Sequence, residues 1–167
     1  LFNRRYLQVT LDREIARVHR ASQPVGIIIM DIDRFKLIND SYGHKAGDLV
    51  LEALGELLKH NIRREDIACR YGGEEFVVVM PGASLQTAQE RAEIIRARIE
   101  ALRVTYENRI ISIAVSVGVA AYPEHGAMGE DVLISADLAL YHAKQSGRNR
   151  VVTYTDSIRM PFIQPQS

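Results

Sequence analysis

The feature that most constrains the fold is the run from Val25 to Met30, an apolar stretch broken only by Gly26. Its β-branched residues favour a strand, and a strand without polar alternation is buried on both faces. Such a strand lies inside a sheet that is covered by other elements above and below. The run ends at Asp31-Ile32-Asp33, so this strand leads two carboxylates into the polar segment that follows.

Apolar periodicity in the rest of the chain predicts helices and strands in alternation. The predicted helices cover residues 4–21, 49–58, 84–102 and 131–146, and the predicted strands cover residues 25–30, 67–71, 76–80, 110–121 and 151–154. The four residues from Gly72 to Glu75 separate two short strands, a spacing typical of a hairpin. The segment from Asn39 to Gly47 is expected to be a polar loop. Together these elements predict an α+β fold, an α/β sandwich with helices packed around a mixed central sheet.

Length and composition favour a single globular domain. The chain has 167 residues, and its 21 Lys and Arg residues balance its 21 Asp and Glu residues. This balance favours binding neither to nucleic acid nor to an anionic membrane. The one cysteine, Cys69, excludes an internal disulfide and fits a reducing cytoplasm. We expect residues 1–155 to form the domain and residues 156–167 to be a flexible tail.

The start of the chain bears on its origin. The sequence begins at Leu1 without an initiator methionine and shows no signal peptide. It also lacks an apolar run of about 18 residues, the length that a membrane-spanning helix needs. We expect a cytoplasmic domain cut from a longer protein, and that protein could be soluble or membrane-anchored.

Two acidic clusters are candidates for chemistry. Asp31 and Asp33 follow the most apolar strand and would share a face if the strand continued. The pair Gly72-Gly73 is expected to form a turn with free φ and no side chains, so that a ligand can approach the backbone. Glu74 and Glu75 follow directly. On local grounds these residues are either turn and surface residues or the ligands of a cation.

The types of residue present narrow the chemistry. Oxygen ligands from separate parts of a chain suit Mg²⁺ or Mn²⁺ better than zinc. The sequence contains no CxxC or HExxH motif, and no glycine-rich loop ending in Lys-Ser or Lys-Thr. A zinc site or a P-loop nucleotidase is therefore not expected.

The segment from Arg70 to Phe76, Arg-Tyr-Gly-Gly-Glu-Glu-Phe, resembles the signature of the GGDEF domain, the catalytic domain of diguanylate cyclases. The resemblance spans nearly the whole chain, from Asn3-Arg4-Arg5 to Gly147-Arg148-Asn149-Arg150. The other matching segments are Met30-Asp31-Ile32-Asp33-Arg34-Phe35-Lys36, Asn39-Asp40, Gly43-His44, Gly47-Asp48 and Ala143-Lys144. The resemblance implies the fold of nucleotide-cyclase and polymerase palm domains, with the active site at the β-hairpin.

The resemblance also implies a metal site. Asp31 is similar to the aspartate that binds two divalent ions, Mg²⁺ or Mn²⁺, with the backbone carbonyl of Ile32 as a further ligand. Glu74 resembles the second metal-binding acid. Glu75 resembles an acid implicated in metal binding or catalysis, and which glutamate acts as the base stays open.

The resemblance implies nucleotide-binding residues as well. Asn39 and Asp48 resemble the pair that reads the guanine edge, and an amide with a carboxylate offers the donor and acceptors that guanine needs. The residues that resemble the triphosphate-binding group are Phe35, Lys36, Lys144 and Arg148. On local grounds, the two basic residues among them that flank Gly147 are equally typical of a solvated helix end. Gly72 and Gly73 give the nucleotide close access to the backbone.

These roles imply an enzyme that condenses two GTP molecules into cyclic di-GMP and two pyrophosphates. A 3′-hydroxyl would attack an α-phosphate with the help of two metal ions, across a homodimer of such domains that an upstream sensory domain controls. An alternative is a catalytically silent module that senses GTP or cyclic di-GMP. Another nucleotide cyclase or a polymerase-like palm would share the metal chemistry and differ in substrate.

A second ligand site is implied by Arg63 and Asp66. They form an RxxD motif that five residues, Ile67 to Tyr71, separate from Gly72. This spacing resembles that of the site where the family binds cyclic di-GMP as an inhibitor. On local grounds the same residues could be a charged turn before a strand.

Overall fold

A computed structural model of the protein describes residues 1–158. Within this range the helices α1 to α5 span Arg4–Ala21, Phe35–Tyr42, His44–Asn61, Leu85–Ala101 and Gly129–Gln145. The strands β1 to β8 span Phe2–Asn3, Val25–Ile32, Ile67–Arg70, Glu75–Pro81, Arg103–Tyr106, Arg109–Ser112, Val115–Tyr122 and Val151–Thr153. Most of the predicted tail, residues 159–167, lies outside the described residues.

The main sheet is mixed and has the strand order β1-β3-β4-β2-β7-β8. Strand β2 pairs antiparallel with both β4 and β7, and every residue of β2 is buried. The two outer pairs, β1 with β3 and β7 with β8, are parallel. The buried strand and the mixed central sheet predicted from the sequence are therefore confirmed.

Side chains alternate across β2 and so build two cores. Ile28 and Met30 pack in a cluster with residues of α2, α3 and α4. Ile27 and Ile29 pack on the other side with residues of α1 and α5. Each fully buried side chain of this size stabilises the fold by about 1.5–3 kcal/mol, which accounts for the apolar character of β2 before Asp31.

The prediction of a polar loop between Asn39 and Gly47 is wrong. Its first part belongs to α2, because Phe35 and Ile38 lie three residues apart and bury one face of a helix. Gly43, at φ 90°, ends α2. Gly47 lies inside α3, which begins earlier than the leucine pattern indicated.

The prediction of a single strand over residues 110–121 is also wrong, because this segment contains parts of two strands that belong to different sheets. Strand β6 pairs with β5 in a small hairpin, and β7 joins the main sheet. The hairpin turns at Glu107 and Asn108, which both have positive φ, as a type I′ turn requires. Glutamate is uncommon in that turn, so the residue types alone did not indicate it.

Helix α5 lies directly on β7 because Gly118 has no side chain there. A Cβ atom at this position would overlap the carbonyl oxygen of Ala136 and would lie 3.0 Å from the Cα of Leu140. Lys144 follows one helical turn after Leu140 and thus comes to the end of the sheet where β2 ends. Among the described residues, no helix has both the length and the apolar character that a bilayer span requires.

Candidate active site

The candidate acids meet where the end of β2 lies beside the start of β4. Asp31 is directly opposite Glu75 in the antiparallel ladder, and residues in that relation place their side chains on the same side of a sheet. The backbone N–H of Ile32 donates to the carbonyl of Glu74 at 3.2 Å. Pairing of β2 with β4 therefore brings the two acidic clusters of the sequence together.

Asp31 is a buried carboxylate that pairs with Lys144. Only 8% of the residue is exposed, and Lys144 Nζ lies 3.1 Å from its Oδ2. Burial raises the pKa of Asp31, while the hydrogen bond and the charge of Lys144 act in the opposite direction. Lys144 thus partly compensates a carboxylate that the fold has removed from water.

The two hairpin glutamates add to the negative charge at this point. Burial raises the pKa of both Glu74 and Glu75, and the charge of Asp31 raises them further. Asp137 on α5 acts on Glu75 in the same sense. Glu75 also lines a cavity of about 440 Å³ between α1 and α5. The negative charge of this group exceeds what Lys144 supplies, a condition that favours binding of a cation.

The donors available fit a hard divalent ion that is shared with a ligand. Among the described residues, no group of three or more His, Cys, Asp or Glu side chains is arranged to hold an ion by itself. Mg²⁺ is typically bound by one or two carboxylates together with substrate phosphates. Asp31, Glu74 and the Ile32 carbonyl provide a donor set of that kind, made of oxygen atoms alone.

Arg70 holds the hairpin turn by bonding its backbone. The guanidinium group donates to the carbonyl of Gly73 at 2.6 Å and to that of Gly72 at 3.3 Å. The Tyr71 N–H donates to the Glu75 carbonyl at 2.8 Å. The sequence did not single out this role of Arg70, although the residue lies within the signature segment.

The two glycines of the hairpin turn bear on how closely a ligand can approach the backbone. Neither Gly72 nor Gly73 lies in the left-handed region, so the turn does not use the φ freedom that glycine offers. A Cβ atom at Gly73 would have no neighbour within 4 Å, so the backbone is open to solvent on that side. The expected close approach of a ligand to this turn stays a prediction.

The proposed guanine-reading pair lies where α2 packs on α3. The Asn39 carboxamide lies so close to Gly47 that a Cβ atom there would overlap its Oδ1. Asp48 is the next residue of α3 and is exposed. The absence of a side chain at Gly47 therefore lets Asn39 lie beside Asp48 at the surface.

The candidate phosphate-binding residues come from two helix ends. Phe35 is buried and Lys36 is exposed at the start of α2, where the first backbone N–H groups have no partner within the helix and favour an anion. Arg148 is exposed just after α5, with φ 60°. A cavity of about 630 Å³, lined in part by Arg34 and Arg148, lies between the two ends.

Asp33 does not join the acidic group. One of its carboxylate oxygens accepts a hydrogen bond from Ser116 Oγ and the other accepts one from the backbone N–H of Asn149. The sequence showed only that Asp33 could share a face with Asp31. Its partners could not be read from the sequence, because they lie on β7 and after α5.

The RxxD pair lies at the opposite end of β3 from the hairpin tip. The Asp66 side chain is almost fully buried. It accepts a hydrogen bond of 2.8 Å from the backbone N–H of Arg63, and it forms an ion pair of 2.7 Å with Arg91 of α4. Arg63 itself is exposed. The motif therefore forms a closed turn that is tied to α4, and product binding there stays a prediction.

Comparison with known proteins identifies close relatives. A family model described as "Diguanylate cyclase, GGDEF domain" matches residues 1–150. Diguanylate cyclase DosC of Escherichia coli (strain K12) is 39% identical over 159 residues, which are 95% of this chain and 34% of DosC. The chain thus spans about a third of the length of its curated relatives.

Solved structures agree with this similarity. The active GGEEF domain of a diguanylate cyclase from Vibrio cholerae has a TM-score of 0.87 at 38% identity, with 93% of this chain and 99% of that chain covered. The GGDEF domain of DgcB from Caulobacter crescentus, in complex with c-di-GMP, has a TM-score of 0.86 at 32% identity, with 90% and 87% covered. The observed fold therefore matches that of these domains over almost its full length.

Proposed function

The chain belongs to the GGDEF family of diguanylate cyclase domains, and we propose that it condenses two GTP molecules into cyclic di-GMP and two pyrophosphates. The observation that carries the proposal is the acidic group formed by Asp31, Glu74 and Glu75 where the hairpin meets the end of β2. All three carboxylates are present, and within residues 1–158 the one ion pair they make is that of Asp31 with Lys144. Such a site is suited to a divalent ion together with an anionic substrate.

We propose that Asp31, the Ile32 carbonyl, Glu74 and Glu75 hold Mg²⁺ or Mn²⁺, two ions in each site. When bound, the ions lower the charge on the triphosphate and favour ionisation of the attacking 3′-hydroxyl. Of the two glutamates, Glu75 is the one that lies directly opposite Asp31 in the antiparallel ladder. Burial and the charge of Asp31 raise the pKa of Glu75, which makes its carboxylate a stronger base than that of an exposed glutamate.

The protein itself binds and orients the nucleotide. Asn39 and Asp48 would hydrogen-bond the guanine edge from the junction of α2 and α3. The start of α2 and Arg148 would bind the triphosphate, at the opposite end of the nucleotide from the guanine. Lys144 pairs with Asp31 at 3.1 Å, and it would turn to the phosphates when a cation neutralises Asp31.

A cyclic product with two phosphodiester bonds requires two GTP molecules that face each other. One domain supplies one nucleotide site in this proposal, so a homodimer is needed for turnover. The isolated domain should therefore be a weak enzyme whose specific activity rises with its own concentration. Incubation with GTP and Mg²⁺, followed by chromatographic identification of the product, tests this. Absence of cyclic di-GMP at every protein concentration would refute the proposal, and conversion of ATP instead of GTP would refute the role of Asn39 and Asp48.

The competing hypothesis of a silent sensor makes a different prediction for Glu75. The variant Glu75→Ala should lose turnover and still bind GTP, because the guanine and phosphate contacts lie on other elements. Glu124→Ala is a matched control, since Glu124 is exposed and lies on the loop before α5. A protein that binds GTP without turnover before any substitution would be the sensor.

We also propose that Arg63 and Asp66 bind cyclic di-GMP. The support is the spacing of the motif before the hairpin and the presence of c-di-GMP in the related DgcB structure. Asp66 already pairs with Arg91, so a ligand would have to share its carboxylate. Calorimetry should show weaker binding of cyclic di-GMP to Arg63→Ala and unchanged binding to Arg64→Ala, the exposed neighbour. Equal affinity of the two variants would discard the site.

A further inference from the structure

A pair of hydrogen bonds ties the loop after α5 to the end of β2. Asp33 accepts a bond of 2.6 Å from Ser116 Oγ through Oδ1 and a bond of 2.9 Å from the Asn149 backbone N–H through Oδ2. Ser116 is fully buried, so this end of the connection is anchored in the sheet. Both oxygens of Asp33 are thus engaged within the protein.

The loop that Asp33 holds has an unfavourable backbone conformation. Gly147, Arg148 and Asn149 have φ angles of 121°, 60° and 44°. The left-handed region costs a residue with a side chain roughly 1–2 kcal/mol, and Asn tolerates it better than Arg. Two such residues in succession keep this conformation only when surrounding contacts enforce it.

The second set of contacts comes from α4. Asn149 Oδ1 accepts a hydrogen bond from Arg96 at 2.7 Å, and Asn149 Nδ2 donates to Glu100 Oε1 at 2.9 Å. Arg96 is in turn paired with Glu93 and Glu100. The loop is therefore fixed from two directions, by Asp33 through its backbone and by α4 through the side chain of Asn149.

Arg148 lies directly before the residue that is held in this way. In the proposed function Arg148 binds the triphosphate, and Asp31, two residues before Asp33, binds the divalent ion. We infer that Asp33 is a positioning residue for triphosphate binding, because it fixes the loop carrying Arg148 to the strand carrying Asp31. The inference rests on the proposed function. It assigns Asp33 no contact with either the ion or the nucleotide.

Binding measurements on two nucleotides test this role. The first is a GTP analogue with a methylene group between its α- and β-phosphorus atoms, which cannot react. The second is GMP, which lacks the β- and γ-phosphates of the triphosphate. With Mg²⁺ present, Asp33→Ala should weaken binding of the analogue about tenfold, the size expected when a charge-assisted contact is lost. It should weaken binding of GMP less than twofold. Asp33→Asn should stay within about threefold of the unaltered protein, because its amide can still accept from Asn149 and donate to Ser116.

A double-substitution cycle shows whether Asp33 acts through Arg148. Asp33→Ala combined with Arg148→Ala should bind the analogue no more weakly than Arg148→Ala alone, since residues that act through one another are not additive. Asn149→Ala keeps the backbone bond and loses the α4 contacts, so it should show the same selective loss in smaller measure. Asp156→Ala, which removes an exposed carboxylate, is the control and should leave both affinities unchanged.

Each contrary result is distinct. Normal binding of the analogue to Asp33→Ala, alongside weak binding to Arg148→Ala, would overturn the inference and leave the proposed function intact. An equal loss of affinity for the analogue and for GMP would mean that Asp33 has a merely structural role, and this result would also overturn the inference. If Asp33→Ala does not fold, Asn149→Ala and the selectivity of its loss decide the question. Failure of the unaltered protein to bind the analogue would refute the proposed function itself.

Discussion

Replacement of Lys144 by methionine should destabilise the metal-free protein. The ammonium group lies 3.1 Å from the carboxylate of Asp31, with side-chain exposures of 32% and 12% for the two residues. Breaking a fully buried pair costs about 3–5 kcal/mol, and an exposed pair contributes at most about 1 kcal/mol. Because the lysine is one-third exposed, we expect the free energy of unfolding to fall by about 2 kcal/mol, which corresponds to a Tm about 4–8 °C lower for a domain of this size.

The loss should depend on pH in a defined direction. Burial already raises the pKa of Asp31 above its ordinary value of 3.8, and Lys144 opposes that effect. Without Lys144 the pKa of Asp31 in the folded state rises further, whereas in the unfolded state it does not change. The folded variant then binds a proton more readily than the unfolded chain, so the deficit is small below pH 3.8 and grows as pH rises through the folded-state pKa.

Urea unfolding followed by circular dichroism, with a chelator present, measures the deficit. Lys59→Met is the matched control, because Lys59 pairs with Glu56 and both side chains are about half exposed. The control should change stability by less than about 0.5 kcal/mol. Added Mg²⁺ should stabilise the Lys144 variant more than the unaltered protein, since the ion then supplies the missing positive charge. Equal stability of the two variants at neutral pH would refute the reasoning.

Three further outcomes follow from close packing and burial. Gly47→Ala should displace the Asn39 carboxamide and weaken GTP binding about tenfold. Gly55→Ala in the same helix is the control and should leave GTP binding unchanged, because its added Cβ would be 3.4 Å from its nearest neighbour. Equal GTP affinities of the two variants would contradict this prediction. Gly118→Ala should push α5 off β7 and lower the free energy of unfolding by about 3 kcal/mol in urea titrations, so an unchanged midpoint would count against the packing described. Burial raises the pKa of the Cys69 thiol to about 11, so a disulfide reagent at pH 8 should label it no faster than the chain unfolds, and immediate labelling would be inconsistent with its burial.

Local patterns predicted the parts of the fold in which burial repeats along the chain. The uninterrupted apolar run indicated β2, and the spacing of Leu7, Leu11, Ile15 and Val18 indicated α1, whose bounds agree with the structure. Ser84 begins α4 as a cap that accepts the Thr87 N–H. In each case the deciding contacts lie within a few residues, which is why the sequence alone was informative.

The remaining features depend on contacts that are distant in sequence. The helix α2 is short, and polar residues such as Asn39 and Asp40 concealed its buried face. The role of Asp33 could not be predicted, because its partners Ser116 and Asn149 are 83 and 116 residues away. For the candidate site, the resemblance supplied the residue roles, and the structure supplied the pairing of Asp31 with Lys144, which no local pattern indicated.

The bond between Asp33 and Asn149 has a consequence for synthesis of the protein. It joins the end of the first strand of the candidate site to one of the last segments that the structure describes. A nascent chain could complete the hairpin and the acidic group while α5 and the residues after it were still inside the ribosome. In that interval the carboxylates would lack both Lys144 and the loop that carries Arg148, so the emerging domain would not hold a triphosphate. Nucleotide binding would then begin only when the domain is complete, which would protect a half-made chain from capturing GTP.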